Sequence, residues 1–200
     1  DTAFISASIG ITVYPADADN KEALINCADQ AMYESKNQGR DCYHYFKQSM
    51  QETSQARRLL TNDLREALNN NQFKIVYQPI VDLLTGKIIK AEALLRWHHP
   101  QRGLISPAEF IPIAEECGAI LSVGEWVFHQ VVEQAKCWRS ELHPNFQISI
   151  DKSPIQFHHE KNNNCDWFNY LSEQGLSGQS IVVEITEGLL LEQDIAEDLL

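Results

Sequence analysis

Two short β-rich segments, Phe73–Ile80 and Ile88–Trp97, lie on either side of a Thr85-Gly86 turn, and they restrict the fold more than any other stretch of the chain. Apolar and β-branched residues flanking a glycine turn predict an antiparallel hairpin. The second strand carries Glu92 and Arg96 towards its end. A carboxylate there can ligate a divalent cation through hard oxygens, and a guanidinium can fork onto a phosphate. A solvated pair of charges at a strand end is the other reading of the same two residues.

Downstream, strands and helices alternate. Pro107 opens a predicted helix through Glu116, and a second runs from about Val123 to Ser140 with Trp126, Val127, Val131, Ala135 and Trp138 on its core face. Phe146–Asp151 and Ile181–Ile185 read as further strands, the first ending in a carboxylate and the second leading into Thr186 and Glu187. This alternation predicts an α/β chain with a β/α barrel, and carboxylates at strand C-termini lie on the face where such barrels bind ligands. His98 and His99 fall in a breaker-rich stretch ending at Gly103. Neighbours that point in opposite directions do not share an ion, so a solvated loop is expected there. His158 to Asn164 reads as a variable loop.

Upstream, Phe4–Tyr14 alternates as a strand and Pro15 to Asn20 breaks it. Leu24, Cys27, Ala28, Ala31, Met32 and Ser35 then recur at helical spacing over Lys21–Asn37, with Gly39 placed to end the helix in a left-handed cap and Cys42–Phe46 following as a strand. Gln48–Asn71 is a predicted helix with Ala56, Leu59, Leu60, Leu64, Ala67 and Leu68 along one face. It reads either as a linker that transmits a signal or as a helix that only packs on the barrel.

Composition bounds the partners. The 200 residues hold 16 Lys and Arg against 28 Asp and Glu, a formal charge of −12, which argues against a broad DNA- or RNA-binding surface. A small anionic nucleotide stays compatible, because metals and a few placed cations overcome the mean field locally. The five cysteines form no C-x-x-C pair, so neither a zinc site nor a disulfide framework is indicated, and a reduced cytoplasmic setting is expected.

Four quoted stretches carry a family resemblance: Tyr77-Gln78-Pro79-Ile80, Glu92-Ala93-Leu94-Leu95-Arg96-Trp97, Ser106 to Pro112, and Glu184-Ile185-Thr186-Glu187. Over about residues 60 to 200 the chain resembles the EAL family of cyclic di-GMP phosphodiesterases. The resemblance implies a TIM-like (β/α)8 barrel, about half of it present, and a centre of two divalent ions, Mg²⁺ or Mn²⁺. Such ions, roughly 4 Å apart, activate water and neutralise charge on the phosphate. It also implies catalytic dependence on Glu92, Glu184 and Glu187, with Glu92, Asp151 and Glu184 as metal ligands and Glu187 keeping a nearby loop in order. Gln78 and Arg96 would contact the dinucleotide. A homodimer through the EAL domain is the implied assembly.

Ser8-Ile9-Gly10-Ile11, Ala28 to Tyr33 and Lys36-Asn37-Gln38-Gly39-Arg40 are similar to the closing third of a GGDEF, or diguanylate cyclase, domain. Residues 1 to 48 would then be the tail of that α/β palm-like domain, 49 to 71 the helical linker, and 72 to 200 the N-terminal part of the EAL domain. Lys36 and Arg40 match positions that contact the triphosphate of GTP in that family, and i,i+4 spacing sets both on one helix face. Two solvated cations at a helix C-terminus are the alternative.

Two departures from the family pattern bear on activity. Asp151 stands where the family places asparagine, keeping an oxygen ligand while adding negative charge. The later strands that supply further metal ligands and a catalytic lysine are expected beyond residue 200, so the chain reads as a window on a longer tandem protein, inactive alone and cytoplasmic or tethered through upstream segments. The leading expectation is hydrolysis of cyclic di-GMP; the alternative is a receptor that binds it and relays the state through the linker.

Overall fold

In the computed structural model, residues 5–159 and 165–185 are described. They divide into two compact units, Asp1–Asn62 and Asp63–Leu200.

The first unit holds β1 (Ile9–Ile11), α1 (Lys21–Asn37), β2 (Tyr43–Tyr45) and the first part of α2 (Gln48–Ala67), with β1 and β2 paired in parallel. Asn20 starts α1 by accepting the Ala23 amide on its side chain. The helix stops where Gly39 turns left-handed (φ 105°) and the Arg40 amide returns to the Ser35 carbonyl, the expected glycine cap. Cys27, Ala31 and Phe46 form a small core, and the Ser35 hydroxyl joins α1 to both strands, donating to the Ile9 carbonyl of β1 and lying 3.1 Å from Nδ1 of His44 on β2. Both strands are shorter than the alternation suggested, because short strands pairing over three positions leave their flanks outside the ladder. α2 ends at Ala67 rather than Asn71, and Asn71 itself is left-handed (φ 54°).

The second unit is built on a sheet of order β3-β4-β6-β7, with β5 paired to β4. β3 (Phe73–Val81) and β4 (Ile88–His99) form the predicted hairpin, closed by Asp82, whose side chain accepts the amides of Leu84 and Thr85. β5 (Gly103–Ile105) extends β4, and β6 (Gln147–Lys152) and β7 (Ile181–Ile185) join in parallel. α3 (Pro107–Glu116), α4 (Ala119–Glu141), α5 (Pro154–His159) and α6 (Cys165–Glu173) provide the helices, with a 3-10 turn over Gly178–Ser180.

Alternation sorts the sheet into two faces. Ala91, Ala93, Ile148, Ile150 and Ile181 form one core with Phe128, Val131, Val132 and Ala135 of α4. Each large apolar side chain buried this way contributes about 1.5–3 kcal/mol. Trp97 is fully buried against Phe73 and Phe110, its indole N–H donating to Gln72. The in-between positions Lys90, Glu92, Ser149, Asp151 and Glu184 fall on the opposite face, so the packing that holds the sheet also gathers its polar groups.

Three expectations change here. His98 and His99 do not form a solvated loop: β4 continues through them, and pairing with β5 buries His99 while leaving His98 exposed. His99 Nδ1 accepts the amides of Gln101 and Arg102, which leaves Nε2 to donate to Asp63 at 3.1 Å. α5 covers His158 and His159, where the sequence predicts a loop, although Glu160 to Asn164 lie outside the described residues. Lys36 is in the last turn of α1, but Arg40 lies beyond the cap with φ 62°, so the i,i+4 argument for a shared face fails.

Candidate metal centre

Neighbouring strands bring the acidic residues together from distant parts of the chain. Glu92 is in register with Gln78 on β3 and Ser149 on β6, and Asp151 is in register with Glu184 on β7. Since β4 runs to His99, Glu92 lies mid-strand, one row below the Asp151–Glu184 pair, rather than at a strand end as its sequence position suggested. The three residues nonetheless present ligand atoms that all lie within 4.8 Å of one another. Carboxylate oxygens from three strands are the donor set of a hard divalent cation.

The electrostatics of the group fit a cation. Asp151 reaches solvent, yet partial desolvation by the surrounding protein, followed by the negative charge of Glu184, pushes its carboxyl above the usual aspartate value. Glu184 moves the other way: the nearby Ser149 hydroxyl and then Lys90 hold its carboxyl below the ordinary value. Lys90 Nζ donates to Glu184 Oε1 at 3.1 Å. Ser149 approaches Glu184 without full hydrogen-bond geometry, so its buried Oγ has no partner among the described residues. A buried hydroxyl left unpaired beside clustered carboxylates suits a site whose polar groups face a ligand.

Arg96 follows Glu92 on the same face by alternation, and its Nη1 donates to the Leu95 carbonyl at 2.9 Å. It borders, with Asp151, a mainly apolar cavity of about 340 Å³ lined by the middle of β4 and the C-terminal end of β6. Gln78 is exposed opposite Glu92. Lys152 does not offset the charge of Asp151 from the same face. It is buried on the other side, its ammonium over the rings of Phe157 (4.6 Å) and Trp167 (4.3 Å). Glu187 lies outside the described residues.

Lys90 and Ser149 belong to this site and were missed from the sequence. For Lys90 a signal existed, since i and i+2 of a strand share a face and Lys90 precedes Glu92 by two. Nothing along the chain linked either residue to Glu184, which depends on strand order.

Comparison with known proteins bears on this geometry. Residues 61–199 match the EAL domain family, and residues 1–42 match the family described as diguanylate cyclase, GGDEF domain. The chain is 41% identical over 183 residues to the bifunctional diguanylate cyclase/cyclic di-GMP phosphodiesterase MucR of Pseudomonas aeruginosa, a match covering 92% of this chain and 27% of that protein. It is 36% identical over 191 residues to the cyclic di-GMP phosphodiesterase PdeR of Escherichia coli, covering 96% and 28% respectively. The chain thus spans about a quarter of the length of these curated relatives. Among solved structures, the PaMucR phosphodiesterase in complex with c-di-GMP is similar with a TM-score of 0.64 at 37% identity, over 69% of this chain and 56% of that one. The sheet described above is accordingly a partial TIM-barrel-like EAL fold. No helix among the described residues is long and apolar enough to cross a membrane.

Proposed function

Because this chain belongs to the EAL domain family, we propose that the protein hydrolyses cyclic di-GMP to the linear dinucleotide at a site holding Mg²⁺ or Mn²⁺ on Glu92, Asp151 and Glu184. The observation that carries this reading is the convergence of those three carboxylates within 4.8 Å. Divalent ions held by these carboxylates would supply charge neutralisation at the phosphate and a more acidic water. The residues of the chain do the rest. Arg96 spends one N–H on Leu95 and keeps others to fork onto a phosphate oxygen. Gln78, beside Glu92, offers an amide for orienting the dinucleotide. Ser149 and Lys90 stabilise the charged form of the Glu184 carboxyl, holding it below the ordinary glutamate value. Glu187 takes the loop-ordering role its family match implies.

The same reading assigns residues 1–48 to a GGDEF tail, 49–71 to the linker and 72–200 to the EAL domain, with GTP at the upstream domain through Lys36 and Arg40 and a homodimer through the EAL domain. One observation favours a second reading. Asp151 stands where the resemblance implies asparagine, and it adds a carboxylate beside Glu184, whose charge helps push it above the ordinary value; a centre altered in charge suits a receptor that binds cyclic di-GMP without cleaving it.

Incubating the full-length protein with cyclic di-GMP and Mn²⁺, and following the linear dinucleotide by chromatography, separates the two. Product formation is expected; saturable binding with no product would establish the receptor instead. If Asp151 is what slows the reaction, Asp151→Asn raises the rate near neutral pH and weakens Mn²⁺ binding, whereas superimposable curves would make the substitution silent.

A further inference from the structure

Lys90 stands in an unusual relation to the acidic group. It shares a face of β4 with Glu92, two residues on, but pairs with Glu184 on β7. β6 lies between those two strands, so Lys90 and Glu184 meet across two strand spacings, roughly 10 Å, above the strand that carries Ser149 and Asp151. The lysine side chain is 22% exposed and Glu184 41%, so the contact is partly sheltered from solvent. A strand interior does not call for lysine, for which β-branched or aromatic residues suit the pleated surface better. The position is explained by charge: a cation has been built in beside the carboxylates that would otherwise attract one.

We propose that Lys90 is an internal competitor for the cation site. Its ammonium balances the carboxylates when no divalent ion is bound, and an ion that binds through Glu184 must displace it or tolerate its repulsion. The inference rests on reading Glu92, Asp151 and Glu184 as a metal centre. A fixed positive charge a few ångströms from a divalent ion opposes binding, and a partly buried charge is screened less than an exposed one. Lys90 thereby offsets the extra anion that Asp151 contributes, and sets the free cation concentration at which the site fills.

The test is a titration of Mn²⁺ alone into the full-length protein, with free Mn²⁺ followed by its EPR signal and binding that disappears in Glu92→Ala counted as the site. Lys90→Met should bind Mn²⁺ there roughly 10-fold or more tightly than wild type, the scale on which groups next to metal ligands act. Lys90→Gln should move the same way, so that failure of one variant to fold does not decide the matter, and Lys90→Arg should stay near wild type. Without metal the two neutral variants should melt lower than wild type, and Mn²⁺ should raise their melting temperatures more. Equal or weaker Mn²⁺ binding in folded Lys90→Met would overturn the competitor role, showing a lysine that orients Glu184, while Glu92-dependent binding in wild type would leave the metal centre standing. Absence of Glu92-dependent binding in both proteins would overturn the centre and the inference together.

Discussion

Glu92 shows how much depends on a single strand register. It lies one row below Asp151 and Glu184, yet on the same face of the sheet its carboxylate comes within 4.8 Å of theirs. Its chemical type was legible in the sequence, as were those of Asp151 and Glu184, because each stands in a strand-forming run and few roles suit a carboxylate on such a face. Lys90 was not legible as a partner of Glu184, since the two are separated by 94 residues and meet only through the order β4-β6-β7. For Arg96, the account predicts that Arg96→Ala raises the KM for cyclic di-GMP about 10- to 100-fold, the value of a hydrogen bond to a charged group, with a smaller effect on kcat. An unchanged KM in steady-state assays would remove Arg96 from the phosphate contact. Tyr77, packed edge-on against Trp138 at 4.8 Å, gives a pH prediction of its own. Burial pushes its phenol up to about 12. An acid whose folded value exceeds the unfolded value near 10 holds its proton more tightly when folded, so its contribution to stability is full below about pH 10 and is lost as pH rises through about 12. The tyrosinate difference titration between wild type and Tyr77→Phe should therefore show a step near 12; a step near 10 would mean that the ring is not buried.

At the scale of elements, periodicity succeeded where an element is long and failed where it is short or set by a neighbour. α1, α3 and the β3–β4 hairpin were legible through helical spacing, a proline at the first turn and a glycine turn. α4 began four residues before its predicted start, at Ala119, because left-handed Gly118 is its N-cap. α5 spans six residues, too few for a helical period to register, and β5 exists only by pairing with β4. His99 is legible only after that pairing, when burial and the Asp63 contact reveal it as a structural residue. Gly10 shows a different kind of constraint. A Cβ at this position would meet the backbone of Ala28 and Met32 in α1, and backbone cannot swing aside as a side-chain end can. Gly10→Ala should destabilise the first unit by about 1–3 kcal/mol, read as a lower melting temperature, through forced separation of β1 from α1. An unchanged melt would show that the strand and helix have room to part.

Across the whole molecule, one sheet does two jobs because its alternation is kept in register from β3 to β7. The apolar face is filled by α4, and the polar face collects carboxylates from β4, β6 and β7. The fold class and the three carboxylates that converge could be read from the chain, since strand-helix alternation and family motifs are properties of sequence order. The position of the charges relative to one another could not, because it is a property of strand order. The central claim is that these carboxylates act as one metal centre for phosphodiester hydrolysis, and Glu92→Ala tests it most directly: the turnover of cyclic di-GMP by full-length wild type and variant, both at saturating Mn²⁺, should differ by complete loss of product in the variant, since alanine offers no ligand in place of the lost oxygen. Undiminished turnover in Glu92→Ala would contradict the account.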